Sequence, residues 1–137
     1  MAEYTLPDLA YDYSALAPSI SGTIMELHHG KHHQAYIDNL NKALADQPEL
    51  AAKSVEDLLR GFAGVPDSIK TAVRNHGGGH ANHSLFWESM GPSGQAPGST
   101  FLQQVTESFG TLAGLQKAMQ QSAEGLFGSG WMAWSSS

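Results

Sequence analysis

Apolar side chains recur at three- and four-residue steps over two long stretches of the chain, a pattern that predicts two long helices. In the first stretch, about residues 20–45, these positions are Ile20, Ile24, Leu27, Tyr36, Ile37, Leu40 and Leu44. Thr23 and Glu26 fit a capping box near its start. Gly30 interrupts the stretch, and glycine lowers helix stability by about 1 kcal/mol relative to alanine, so we expect a bend there.

The second stretch begins after Pro66, which suits the first turn of a helix, and runs to about Met90, before Gly91 and Pro92. Between the two, Ser54 predicts the N-cap of a shorter helix and Gly61 its end. The second stretch contains three consecutive glycines, residues 77–79. Glycines are unfavourable in an exposed helix but make sense where its backbone approaches another element or a ligand.

The remaining third of the chain opens with residues 91–99, which are rich in glycine, proline and serine and predict a linker. Ser99 or Thr100 is expected to cap a helix that Gly110 breaks and Thr111 restarts. Residues 125–134 have the pattern of a glycine-rich turn entering a strand. Since a lone strand has no partner, we expect residues 100–137 to be an unfinished domain.

Composition narrows the classes of function. The chain has 137 residues, a formal charge of -6 and no basic run, which argues against nucleic acid as a partner. It has no cysteine, so any metal must be held by nitrogen and oxygen ligands. The N-terminus lacks a signal-peptide pattern and no apolar segment approaches membrane-spanning length, so we expect a cytoplasmic protein with no membrane partner.

All seven histidines fall in two clusters, residues 28–33 and 76–83. In a helix, the pairs His28/His32 and His29/His33 each share a face, but the two faces point about 100° apart. His76, His80 and His83 share one face of the other helix. Two antiparallel helices could therefore place imidazoles around one ion, although single histidines, Tyr36 or Trp131 would ordinarily be core or surface residues. Spacing favours a metal site and indicates no particular reaction.

Longer motifs carry a resemblance to a known family. Residues 8–16 and 27–41, the second histidine stretch at 75–87 and the Phe-Gly-Ser-Gly-Trp segment at 127–131 resemble, in order, the iron/manganese superoxide dismutases. The similarity covers residues 4 to about 134. It implies an α+β fold, in which an N-terminal helical hairpin at 1–90 and a linker at 91–99 precede an α/β domain. Residues 100–137 would be the start of that domain, whose three-stranded antiparallel sheet is mostly missing here.

The resemblance also implies a reaction and a site. The family disproportionates superoxide to oxygen and hydrogen peroxide at one manganese or iron ion, bound by three histidines, an aspartate and a solvent molecule. By motif match, His28 and His83 are two of the ligands. His32 and Tyr36 are the pair at the substrate channel, and Trp87 and Trp131 belong to the aromatic shell. The other four histidines match no ligand position and are expected to pack, hydrogen-bond or face solvent.

The glycines before His80 look like the manganese branch, in which Gly79 leaves room for a glutamine from the C-terminal domain. The family commonly dimerises, so a homodimer or homotetramer is expected of the full-length protein. The Asp-x-Trp-Glu-His motif that supplies the other two ligands is absent: no Asp follows Asp67 and no His follows His83. We therefore expect the 137 residues alone to be a fragment that binds manganese weakly and is inactive.

Two other classes of function stay open. One is a non-catalytic histidine-rich protein that binds zinc or nickel through surface pairs spaced four residues apart, which equilibrium dialysis would reveal. The other is a helical hairpin that acts as an interaction module with another chain. Size-exclusion chromatography would show such association, because an apolar face left without its sheet favours it.

Overall fold

A computed structural model describes residues 3–92, Gly94 and residues 96–135. We number its α-helices α1–α8 and its two π-helical segments π1 and π2. In chain order they are α1 Gly22–Leu27, π1 His28–His33, α2 Gln34–Ala43, α3 Pro48–Ala51, α4 Val55–Arg60, α5 Asp67–Ala72, π2 Val73–Gly77, α6 Gly78–Ser89, α7 Ser99–Phe109 and α8 Leu112–Glu124. Short 3₁₀ turns lie at Tyr13–Leu16 and Phe62–Gly64.

The chain forms two compact units, Met1–Ser93 and Gly94–Ser137. The division falls within the segment predicted to be a linker, of which Ser93 and Gln95 lie outside the described residues. The domain boundaries drawn from the sequence, 1–90 and 100–137, stay a prediction. None of the described helices is long and apolar enough to cross a membrane.

The first unit is a helical hairpin, as predicted. Its two arms are the consecutive segments α1–π1–α2 and α5–π2–α6. π1 contacts α6 while α2 contacts π2, so the two arms run in opposite directions. The core between them and the short helix α4 consists of buried aliphatic side chains: Leu40, Leu44, Val55, Leu58, Val65 and Val73. Burying each such side chain contributes roughly 1.5–3 kcal/mol, which makes this cluster the main stabilising contact of the hairpin.

The N-terminal residues lie along the hairpin as an extended arm. The backbone of Tyr4 exchanges two hydrogen bonds with the Asn41 side chain, at 2.9 and 2.8 Å. Further along, the Tyr11 hydroxyl donates to the carbonyl of Trp87 at 2.8 Å. These bonds connect the N-terminal segment to both helical arms of the hairpin.

Helix ends agree with the sequence pattern at several positions, but the N-cap of α7 is Gly98, with no side-chain cap from the expected Ser99 or Thr100. The Ser54 hydroxyl accepts from the amide of Asp57 at 3.1 Å and Gly61 ends α4. At the first helix the prediction was wrong, because the N-cap is Ser21, whose hydroxyl accepts from the amide of Ile24 at 3.3 Å. Ser21 offers the same capping chemistry as the box predicted from Thr23 and Glu26, two residues earlier.

Both arms contain a π-helical segment that the periodicity did not reveal. π1 includes Gly30, where a bend was expected, and π2 ends at Gly77. A π segment inserts a wider turn, so side chains before and after it no longer keep the angular spacing of an α-helix. Four of the histidines lie in π1 and His76 lies in π2, while His80 and His83 lie in α6, the helix that follows π2.

The second unit contains α7 and α8, separated at Gly110, whose φ of 74° is accessible to glycine with little strain. The Thr111 hydroxyl caps α8 by accepting from the amide of Gly114 at 3.0 Å. Trp134 packs against Phe101 and Phe109, with ring centroids 5.9 and 5.6 Å apart. The strand expected within 125–134 is not formed in the described part of this unit. An isolated strand has no ladder hydrogen bonds to hold it extended.

Candidate metal centre

The hairpin brings together one histidine from each of its arms. His28, at the start of π1, and His83, in α6, place their Nε2 atoms 3.0 Å apart. The two rings are nearly perpendicular, with centroids 5.1 Å apart and planes at 79°. The residues that sequence motifs selected as metal ligands, 55 positions apart in the chain, are therefore neighbours in space.

The orientation of His83 is set by the backbone of its own helix. Its Nδ1 lies 2.7 Å from the carbonyl oxygen of Gly79, a distance at which Nδ1–H donates to the carbonyl. In a neutral imidazole the proton on Nδ1 leaves Nε2 unprotonated. A backbone carbonyl that holds the far nitrogen is the usual second partner of a metal-binding histidine. Nε2 of His83 thus faces His28 with a lone pair.

The surroundings favour neutral rings at both positions. Burial lowers the pKa of His28, and the neighbouring His83 and His32 lower it further. Burial also lowers the pKa of His83, against the opposing effect of the hydrogen bond to Gly79. Because only an unprotonated nitrogen can bind a metal, these shifts favour ligation at neutral pH.

Aromatic side chains surround the pair on several sides. The Tyr36 ring lies 5.1 Å from that of His83, and the indole of Trp87 lies 5.0 Å from the imidazole of His28. His32 is exposed and meets His28 edge-to-face at 5.8 Å. An open cavity of about 340 Å³ lies beside His28 and His32 and is also lined by Ile24 and Leu27. The pair is therefore enclosed by protein on one side and accessible on the other.

A second group of histidines forms a buried hydrogen-bonded chain. The indole N–H of Trp87 donates to Nδ1 of His33 at 2.9 Å. Because that nitrogen accepts, neutral His33 carries its proton on Nε2, which donates to Nδ1 of His80 at 2.8 Å. All three side chains are less than 9% exposed, and burial together with His80 and His83 lowers the pKa of His33 to about 3.

Two histidines remain. His29 bridges the N-terminal arm to π1, because one ring nitrogen lies 2.8 Å from the carbonyl of Pro7 and the other 3.0 Å from the Tyr13 hydroxyl. His76 packs its ring 6.2 Å from that of Tyr36, and its buried Nδ1 has no hydrogen-bond partner among the described residues. Neither lies in the His28–His83 pair.

The space beside Gly79 is occupied. A Cβ built on this residue would lie 2.5 Å from Cδ1 and 2.7 Å from Cγ of Tyr36. The glutamine that the family resemblance places near Gly79 stays a prediction.

The pair is not a complete metal site within the described residues, where no three histidine, aspartate or glutamate side chains converge. Trp131, predicted to lie in the aromatic shell, belongs to the second unit and is 43% exposed there. Its place beside His28 and His83 stays a prediction.

Sequence reasoning missed two functional contacts, the Gly79 carbonyl that orients His83 and the indole that orients His33. The first leaves a weak signal, because a residue four positions before a helical histidine presents its carbonyl toward that side chain. The second leaves none, since Trp87 and His33 are 54 positions apart.

Comparison with known proteins bears directly on this hairpin. The family model for the alpha-hairpin domain of iron/manganese superoxide dismutases matches residues 3–91. The chain belongs to this family. It is 50% identical over 132 residues to the Superoxide dismutase [Mn] of Thermus thermophilus. That alignment covers 96% of this chain and 64% of the relative.

Two other manganese superoxide dismutases are also similar to this chain over most of its length. The Superoxide dismutase [Mn] of Listeria monocytogenes is 46% identical over 132 residues, and the Superoxide dismutase [Mn] 3 of Leptolyngbya boryana is 42% identical over 128. The alignments cover 96% and 93% of this chain, but 65% and 54% of those proteins. The chain thus spans less than two thirds of the length of these relatives.

Proposed function

We propose that this chain is the part of a superoxide dismutase that supplies two metal ligands, His28 and His83, to a manganese or iron site. The observation that carries the proposal is the convergence of two Nε2 atoms at 3.0 Å, one of them unprotonated by its bond to Gly79. The relatives named as manganese superoxide dismutases favour manganese.

The donor pair fits such an ion. Its two Nε2 atoms, one from each arm of the hairpin, are 3.0 Å apart, close enough for both to bind one ion. Nitrogen donors in a chain without cysteine also suit manganese or iron better than a thiolate-seeking metal. The family resemblance assigns the remaining histidine and aspartate to a motif that the 137 residues do not contain.

When bound, the ion would supply the one-electron exchange by which two superoxide ions and two protons become one oxygen and one hydrogen peroxide molecule. The residues of this chain have other tasks. His28 and His83 would hold the ion, and the Tyr36 hydroxyl would pass a proton towards the reduced oxygen species. His32 would stand at the entrance, while Trp87 and Trp131 would limit the access of water.

The wider properties of the whole protein follow the same proposal. We infer a cytoplasmic homodimer or homotetramer that takes superoxide as its substrate. We also expect the 137 residues alone to bind manganese weakly and to show little activity, because they hold two of the four protein ligands.

The test is superoxide decay after pulse radiolysis, measured with the natural polypeptide that contains these residues, loaded with manganese or iron. Metal-dependent acceleration that is lost with His28→Gln and retained with His29→Gln would support the proposal. A loaded protein that leaves the decay of superoxide unchanged would overturn it.

A further inference from the structure

The three consecutive glycines of the hairpin have different surroundings. A Cβ on Gly77 would make ordinary contacts with Leu59 and Leu40 at 3.5 and 3.7 Å, and a Cβ on Gly78 would meet nothing within 4 Å. A Cβ on Gly79 would lie 2.5–2.7 Å from three atoms of the Tyr36 ring, including Cγ. Because rotation of the ring about the Cβ–Cγ bond leaves Cγ in place, such a rotation does not relieve this contact. Glycine is therefore required by packing at only one of the three positions.

Gly79 also touches the metal pair through its backbone. Its carbonyl accepts the Nδ1–H of His83 at 2.7 Å, and the His83 ring lies 5.1 Å from the Tyr36 ring that covers Gly79. One residue thus contacts two side chains that the proposed reaction uses. Its missing side chain leaves room for the Tyr36 ring, and its carbonyl accepts a hydrogen bond from His83.

We propose that Gly79 is a positioning residue, whose lack of a side chain seats the Tyr36 ring against His83 while its carbonyl orients that imidazole. A methyl group at this position would push the tyrosine ring away from the helix and so change its placement relative to His83. The consequence for proton delivery rests on the proposed function. The packing relation between Gly79 and Tyr36 does not.

A double-mutant cycle in urea denaturation tests the packing relation. Gly78→Ala is the matched control, since it adds the same methyl group one residue earlier in open space. We expect Gly78→Ala to raise the folding equilibrium constant about fivefold whether Tyr36 is present or replaced by alanine. Gly79→Ala should lower the constant by about tenfold or more in the presence of Tyr36. In the Tyr36→Ala background, Gly79→Ala should instead raise the constant as Gly78→Ala does.

Side-chain NMR of the metal-free protein provides the second measurement. Gly79→Ala should shift the aromatic signals of Tyr36 and the ring-nitrogen signals of His83, whereas Gly78→Ala should leave both in place. If Gly79→Ala behaves as its neighbour does in both measurements, Gly79 does not position Tyr36. If Gly79→Ala alone fails to fold, folding restored by Tyr36→Ala supports the proposal, and a double variant that stays unfolded refutes it.

These outcomes are separable from those of the proposed function. Neither the denaturation cycle nor the NMR signals require bound metal or activity. A coupled Gly79–Tyr36 pair in a protein that never accelerates superoxide decay would leave the positioning role intact and remove its catalytic consequence.

Discussion

Two pairs of histidines cross between the same two arms of the hairpin. In one, His28 and His83 bring two Nε2 atoms to 3.0 Å beside an open cavity. In the other, Nε2 of His33 lies 2.8 Å from Nδ1 of His80 in the interior. The distances are almost equal, and both pairs contain the residue types from which metal sites are made.

The difference lies in the partners at the far side of each ring. The indole of Trp87 can only donate, so it occupies Nδ1 of His33 and makes Nε2 of that ring a donor to His80. His83 instead donates its Nδ1 proton to the Gly79 carbonyl, and its Nε2 faces the partner ring unprotonated. In this hairpin, the ring whose outer partner accepts a proton, His83, presents a lone pair to its neighbour, and the ring whose outer partner donates one, His33, presents an N–H.

The largest effect that separates the two pairs is expected on metal affinity. His83→Gln removes an imidazole donor, and its amide cannot offer the same lone pair at Nε2. Since altering even an outer partner of a ligand costs 10–100-fold in affinity, we expect the affinity for Mn²⁺ to fall by at least about 100-fold. Electron paramagnetic resonance of Mn²⁺ titrated into the natural polypeptide measures this loss.

His80→Gln is the matched control, because it makes the same substitution in the structural pair one helical turn earlier. It should change the affinity of the folded protein for Mn²⁺ far less than His83→Gln does. Equal losses in the two variants would contradict the assignment of His28 and His83 as the ligand pair.

The next effect is expected on stability and belongs to the buried chain. Trp87→Phe keeps most of the aromatic packing but leaves Nδ1 of His33, which is 0% exposed, without its donor. An unsatisfied buried acceptor costs about 1–3 kcal/mol, in addition to the packing lost with the smaller ring. Urea denaturation at neutral pH measures the change in the free energy of unfolding.

Tyr11→Phe serves as its control, because it removes a hydrogen bond to the backbone carbonyl of Trp87 and leaves the indole untouched. Tyr11 lies nearer the surface, where water can replace the lost donor, so we expect a cost below that of Trp87→Phe. A larger loss of stability in Tyr11→Phe would mean that the hydrogen bond from the N-terminal segment contributes more to the free energy of unfolding than the indole–imidazole chain does.

The sequence alone was sufficient for many of the helix ends in both units. Some helix ends could be predicted because their chemistry is local. Gly61 ends α4, Gly110 adopts a positive φ, and the Thr111 hydroxyl accepts from an amide three residues later. The motifs pointed to His28 and His83 through a family resemblance, and spacing by itself did not single them out among seven histidines.

What the sequence did not reveal depends on contacts between distant residues. The π segments alter the angular spacing of side chains, so face assignments made with α-helical geometry were approximate. The proton positions of the histidines follow from Trp87 and Gly79, which act across the hairpin or through the backbone. The strand expected at 125–134 needs a ladder partner, which no local pattern provides.

The smallest effect concerns Tyr36, whose ring packs against that of His83 in the proposed ligand pair. If its hydroxyl delivers a proton, Tyr36→Phe should slow the protonation-limited phase of superoxide decay by about tenfold or more. Metal content should stay unchanged, because the phenyl ring still fills the space over Gly79 and His83 keeps its carbonyl partner. Pulse radiolysis with metal analysis of the same samples measures both quantities.

Tyr13→Phe is the control for this last change, since the Tyr13 hydroxyl bonds to His29, outside the proposed ligand pair. It should leave both the rate and the metal content as they are. Loss of bound metal in Tyr36→Phe would mean that the hydroxyl helps to hold the ligands in place. The Tyr36 hydroxyl would then have a structural role, as the indole N–H of Trp87 does, and Tyr36 would count among the residues that hold the histidine pairs in place.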